Sequence, residues 1–285
     1  MADLDSLTAA YNAQVAEVRK RVSDFGTDLW HSLPNYRDRS IDRMVSALVP
    51  RVQAGQVQIA QLTDAYLSVY AAQLGIRFKT SVISADLVTG SRGVDPSVVY
   101  RRPANTVYSA LADGKSVAQA VDSGEVRLLQ LIGGDMQMAR RNQARQSFAG
   151  SQFSAYRRVL SGSENCGLCV VASTQRYWVK DLLPIHPGCD CGIEPLPEGD
   201  WSGPENQVIN SELLEQTHNA ISNHIGAYDR GARLPDYRKL QIMQSDDGSV
   251  SVSGVGEIVT VRTHGEYGPT LTWSNQDFTG PRGLS

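Results

Sequence analysis

At 285 residues, 41% of them hydrophobic, the chain is long enough for two domains or one elongated one with a sizeable core. Its apolar runs are too short to span a bilayer and its N-terminus lacks a signal-peptide core, so a protein made and kept in a cytosol, or assembled from there, is expected, with no membrane contact. The net charge of −3 is split, with 19 Lys and Arg against 14 Asp and Glu in residues 1–162 and 8 against 16 in the rest, a polarity that orients a protein between unlike partners but leaves neither half basic enough for a dedicated DNA-binding domain.

Residues 2–31 read as one long amphipathic helix. Leu4, Leu7, Tyr11, Val15, Val18, Val22, Phe25 and Leu29 recur every three or four residues, the spacing that keeps one helix face on a partner helix. A bundle helix is the plain reading and an intermolecular coiled coil the other. Pro34 ends the pattern. Ile41, Met44, Val45, Leu48 and Val52 predict a second helix, and Ile59, Leu62, Tyr66, Tyr70 and Leu74 a third, closed by Gly75. Short connections between them imply antiparallel packing. Residues 76–104 lose the period amid Gly90, Gly93, Pro96 and Pro103.

Helical pattern returns near Asn105, and a long segment is expected from about Ser123 to Leu160, with a weak point or kink at Gly133-Gly134. No acid falls between Met136 and Ser163, while Arg140, Arg141, Arg145, Arg157 and Arg158 accumulate. These read as a solvated helix face, or as a contact for phosphate or an acidic protein surface. Leu214, His218, Ile221 and Ile225 mark a later helix, capped by Ser211. Ser249–Ser253, Ile258–Arg262 and Thr270–Trp273 alternate as short strands and hairpins.

All four cysteines lie between 166 and 191, in Cys166-Gly-Leu-Cys169 and His186-Pro-Gly-Cys189-Asp-Cys191. Clustering beside a histidine favours a metal or local redox site over a framework of disulfides. Zinc takes four soft or borderline ligands at tetrahedral corners, and Cys-x2-Cys lets one tight turn place two thiolates on one ion. Gly167 helps that turn, and Pro187 and Gly188 shape a second knuckle. Cys166 and Cys169 are expected to bind one structural zinc ion with two of His186, Cys189 and Cys191, and the spacing leaves open which two. The rivals are local disulfides and a thioredoxin-like dithiol. The latter wants a strand before the motif and a helix starting at its first cysteine, where the expected helix to Leu160 stands against it.

A catalytic zinc is not expected. No glutamate follows His186 by two residues, as the deaminase pattern would require, and neither His-Glu-x2-His nor Gly-x-Ser-x-Gly occurs. His31, His218 and His224 read as helix-surface residues. The expected architecture is mainly α: an elongated helical bundle over 1–160, a small zinc-knuckle module over 161–200, and a helix followed by short β-hairpins over 201–285.

The module from Cys166 to Cys191, with Leu183-Pro-Ile-His186-Pro-Gly-Cys189, resembles the MuF-like minor head proteins of tailed bacteriophages. The tail Val261-Arg-Thr-His264-Gly-Glu-Tyr-Gly-Pro269 is similar to a segment in versions from phages of actinobacteria. The resemblance implies a non-enzymatic, low-copy virion component. Such a protein associates with the portal and inner capsid surface and acts in head assembly, DNA packaging or ejection. Packaged DNA would be a further partner through Arg140, Arg141 and Arg145. The alternative reading is a zinc-stabilised nucleic-acid-binding protein using the same arginines.

Overall fold

The computed structural model describes residues 4–161, 164–179, 191–196, 207–225, 234–235, 237–245, 248–254, 258–264 and 268–273. The chain is mainly helical with small antiparallel sheets, and it divides into two compact units, Met1–Gln152 and Phe153–Ser285. Among the described residues no helix is long and apolar enough to cross a membrane.

Unit 1 is built on α1 (Leu4–His31), α2 (Asp38–Gln73) and α6 (Val117–Ala149). Between α2 and α6 lie α3 (Ala85–Val88), α4 (Pro96–Val99) and α5 (Arg102–Ala112). Helices α1 and α2 run antiparallel: the Tyr11 ring stacks on Tyr66 at 4.2 Å, while Arg51 meets Phe25 in the last quarter of α1. The expected stripe is buried from Tyr11 to Val22 and turns inward within the chain, onto α2 and α6. Beyond Val22 the buried positions are Gly26 and Trp30 in place of Phe25 and Leu29. A straight helix of 3.6 residues per turn drifts off a 3.5-residue repeat, and here the drift has moved the contact line by one position.

The second and third expected helices are one. Helix α2 runs unbroken through Pro50 and Gly55. Pro50 costs a backbone hydrogen bond, about 3 kcal/mol in a helix interior. Its ring, however, faces solvent, while Ile41, Met44, Leu48, Val52, Ile59, Tyr66 and Tyr70 keep a continuous buried face on both sides of it. Burying a side chain of that size is worth about 1.5–3 kcal/mol each, so continuity wins over a break.

Helix α6 also departs from expectation at both ends and in the middle. It starts at Val117 behind a capping box, in which Ser116 Oγ accepts from the Gln119 N–H and the Gln119 side chain accepts from the Ser116 N–H. It passes Gly133-Gly134 without interruption and ends at Ala149, so residues 155–160 are not helical. From Leu131 to Met136 every residue is buried, with Gly26 of α1 against Ile132, Gly55 of α2 against Met136, and Arg92 and Tyr100 on Asp135. Such enclosure supplies the stability that the two glycines lack.

Two buried carboxylates inside unit 1 are paired. Asp135 accepts from Arg92 Nε at 2.5 Å and from the Tyr100 hydroxyl at 2.6 Å. Asp64 accepts from the Ser81 backbone N–H, the Ser81 hydroxyl and the Ser147 hydroxyl, which ties the loop after α2 to both long helices.

In unit 2, β1 (Ala155–Val159) is the centre of a sheet between β3 (Arg176–Trp178) and β4 (Gly192–Pro195). A second sheet joins β2 (Glu164–Cys166), β6 (Leu240–Gln244) and β7 (Val250–Gly254) in that order. A third joins β5 (Leu234–Pro235), β8 (Ile258–His264) and β9 (Gly268–Trp273). The hairpins expected from the tail are therefore parts of three-stranded sheets. Strand β6 supplies the difference: Leu240 and Ile242 face a core with Val170 and Ile221, whereas Met243 is exposed. Gly248, at φ +83°, takes the left-handed conformation that closes the β6–β7 turn. Helix α7 (Gly167–Ser173) follows β2 directly. Helix α8 (Ser211–Ile225) is capped by Asn210 Oδ1, which accepts from the Leu213 N–H at 3.0 Å, rather than by Ser211.

Candidate metal centre

Strand β2 ends at Cys166, which pairs with Gln241 of β6, and α7 begins at the next residue. Cys166 is the N-cap of α7: its Sγ accepts from the Cys169 backbone N–H at 3.4 Å. A Cβ on Gly167 would stand 3.1 Å from the Tyr237 carbonyl oxygen, so a glycine lets the 237 backbone cross close above the turn. The Leu168 N–H donates to that same carbonyl at 3.2 Å. The Cys-x2-Cys turn is thus held from outside by the segment leading into β6.

Cys191 arrives from the other sheet. It immediately precedes β4, whose Gly192 pairs with Val159 at the end of β1, and α7 packs on both β1 and β2. This brings Cys191 (1% exposed) against Cys169 (3% exposed) in one apolar cluster, with Leu160 and Cys166 packed beside them. None of the three is in a disulfide. His186 and Cys189 lie outside the described residues. Among the described residues no group of three or more His, Cys, Asp or Glu side chains is gathered closely enough to hold a metal. Cys166, Cys169 and Cys191 share one packed cluster and their sulfurs suit zinc by donor chemistry, but they are not arranged in the geometry of a metal site.

The strand-then-helix setting of a thioredoxin-like dithiol, which the expected helix to Leu160 argued against, is present at Cys166. A dithiol needs two cysteines, and Cys191 packed on Cys169 brings a third sulfur to the same cluster.

Tyr177 of β3 lies within electrostatic reach of both buried sulfurs. Burial pushes its phenol above the ordinary tyrosine value, Arg158 draws it back down, and Cys191 and Cys169 push it up. The Arg158 guanidinium sits 5.0 Å from the Tyr177 ring centroid, and the Tyr177 hydroxyl donates to the Ala172 carbonyl of α7 at 3.0 Å. Tyr177 therefore fixes the far end of the helix that carries Cys169. Sequence reading passed over it, and its one signal is position: a tyrosine in the strand after the motif.

The arginine run does not form a solvated helix face. Arg140 is buried in unit 1, donating from Nε to the Tyr11 hydroxyl at 2.9 Å and from its terminal nitrogen to Asn12 Oδ1. Tyr11 in turn donates to Thr63, which donates to the Ile59 carbonyl. Arg141 is also buried and donates to the Gln137 carbonyl, so Arg145 is the exposed member of the three. Arg157 and Arg158 lie on β1 with side chains on opposite faces; Arg157 bonds Glu194 Oε2 at 2.9 and 3.1 Å. The signal missed was the helical period itself, because Met136, Arg140 and Ala144 are successive i, i+4 positions of the buried helix.

His31, His218 and His224 are exposed, as expected, and contact Glu125, Tyr237 and the Gly254 carbonyl respectively. No protein-family model, no curated protein and no solved structure matches the chain.

Proposed function

We propose that the protein is a structural minor head component of a tailed phage, of the MuF-like kind, with a Cys/His module held by one structural zinc ion. The observation that carries the reading is the convergence of Cys166, Cys169 and Cys191 from two sheets into one buried cluster. It supports the module as a covalent-like staple for a unit whose apolar core is small. Cys166, Cys169 and Cys191 supply three ligands, and His186 or Cys189 completes the set. Zinc there would fix β2, α7 and β4 together without an open position for chemistry. Docking on the portal or an inner capsid surface is the role this reading assigns to the helical unit, during assembly in the host cytoplasm and then inside the head.

The nucleic-acid alternative is disfavoured by the burial of Arg140 and Arg141, which leaves Arg145 alone of the proposed phosphate contacts at the surface. One experiment separates the readings: co-expression with the portal protein, co-purification across a salt series, and metal analysis of the product. About one zinc per chain and portal association that survives moderate salt are expected. Absence from mature particles with no portal or capsid association overturns the structural reading. DNA association that falls steeply with salt turns the choice to the alternative.

A further inference from the structure

Among the described residues six strands form the edges of the three sheets: β3 and β4, β2 and β7, β5 and β9. An edge strand offers backbone N–H and C=O groups to any other extended chain, and charged side chains or proline are the usual protection. Five of the six carry it: Glu164 on β2, Arg176 on β3, Glu194 and Pro195 on β4, Pro235 on β5 and Pro269 on β9. Strand β3 is covered besides, because the Arg176 N–H donates to the Gln207 carbonyl at 2.9 Å. Strand β7, Val250-Ser-Val-Ser-Gly254, has neither a charge nor a proline. We propose that β7 pairs antiparallel with β7 of a second copy of this chain, joining two three-stranded sheets into one.

The hydrogen-bond pattern shows which groups are available. The Ser245 N–H donates to the Ser249 carbonyl at 3.0 Å, so these two residues are a bonded pair at the β6–β7 turn. Opposed pairs of an antiparallel ladder alternate between bonded and non-bonded. Met243 with Ser251 and Gln241 with Ser253 are then bonded pairs, whereas Val250, Val252 and Gly254 sit in non-bonded ones. The backbone groups of those three point away from β6, along the open edge. A contact from outside the sheet agrees: the Gly254 carbonyl accepts from His224 Nε2 of α8 at 2.8 Å. His224 closes the edge at Gly254 and leaves Val250 and Val252 within reach of a neighbour.

That closure sets the register. Val250 and Val252 pair with each other across a two-fold axis when the axis passes through Ser251. Two bonded pairs result, each exchanging two hydrogen bonds. The side chains agree with this register. Val250 and Val252 are half-buried on the face packed against Val170, Ile221, Leu240 and Ile242, and a second pair of valines would cover what remains open. Ser251 is exposed on the opposite face and meets its own equivalent, so no like charges are opposed. A symmetric interface must complement itself. Strand β7 does so, and it has no charged side chain that would select a different protein over its own copy. The contact is short, of the class that forms weak and transient complexes, so association should depend on concentration.

The inference does not rest on the virion reading. Its test is sedimentation equilibrium of the full-length protein, kept reduced, from about 10 μM to about 1 mM. The wild type is expected to move from monomer towards dimer mass over that range, and the Val250 and Val252 amide protons to exchange more slowly at the upper end. Ser251→Lys and Ser251→Glu should each stay monomeric, because each sets like charges opposite one another at the axis. An equimolar mixture of the two variants is expected to form a mixed dimer at least as readily as the wild type. Thermal melting of each variant reports that the fold is kept. A wild type still monomeric at the highest concentration, single variants that associate like the wild type, or a mixture that stays monomeric would overturn the inference.

Discussion

Asp135 is the residue on which the interior of unit 1 turns most sharply. Its carboxylate holds the Arg92 guanidinium and the Tyr100 hydroxyl, and both partners in the ion pair are nearly inaccessible to water. Removing one member of a buried pair leaves the other charge uncompensated, at a cost of about 3–5 kcal/mol. Losing one hydrogen bond to a charged group costs about 1.5–3 kcal/mol. Asp135→Ala should therefore destabilise unit 1 more than Tyr100→Phe, and urea denaturation of the two variants ranks them. The reverse order would mean that the ion pair is not what organises this region. Such pairs were not legible in the sequence, because Arg92 and Asp135 are 43 residues apart and no local pattern links them. The nearness of Cys166, Cys169 and Cys191 was legible, because all the cysteines are clustered within one short stretch of the chain. The burial of Arg140 fell between these cases. Its helical period was visible, but its charge argued for solvent, and only the paired acceptors on Tyr11 and Asn12 resolve the conflict.

At the scale of elements, close helix crossings replace large side chains as the ordering device. A Cβ built on Gly124 of α6 would lie 2.5 Å from the Trp30 ring and 2.6 Å from Val107 Cγ2. Alanine in place of a mid-helix glycine gains about 1 kcal/mol of helix propensity. Overpacking typically costs about 1–3 kcal/mol, and Trp30 is fully buried and cannot swing away. Gly124→Ala is thus expected to lower stability on balance, seen as a lower denaturation midpoint with an unchanged slope. A gain in midpoint would show that α1 and α5 yield easily at this crossing. Element type was largely legible in unit 1, where the 3.6-residue period is strong. Boundaries were not: Ile41–Val52 and Ile59–Leu74 read as two helices, yet one buried face runs through both, and Gly133-Gly134 reads as a weak point or kink, yet both residues are buried within an unbroken helix. Strand β1 was hidden because Tyr156-Arg-Arg158 follows a long helical run and carries charges, whose partners are distant in sequence.

The whole molecule divides after Gln152, three residues beyond the end of α6. Unit 1 holds its own buried core, its own paired polar groups and a capped central helix. A fragment of residues 1–152 should fold alone, with a strongly helical circular dichroism spectrum and one cooperative melting transition. A coil-like spectrum would show that the apolar stripe of α1 needs chain beyond residue 152. Helix α6 also decides how that unit opens. Because neighbours cover it all round from Leu131 to Met136, no single element can peel away and leave those peptide groups wet. Their backbone protons can trade with solvent only when the unit comes apart as one. A label on that stretch is consequently a clock for the entire unit, insensitive to the breathing of its surface.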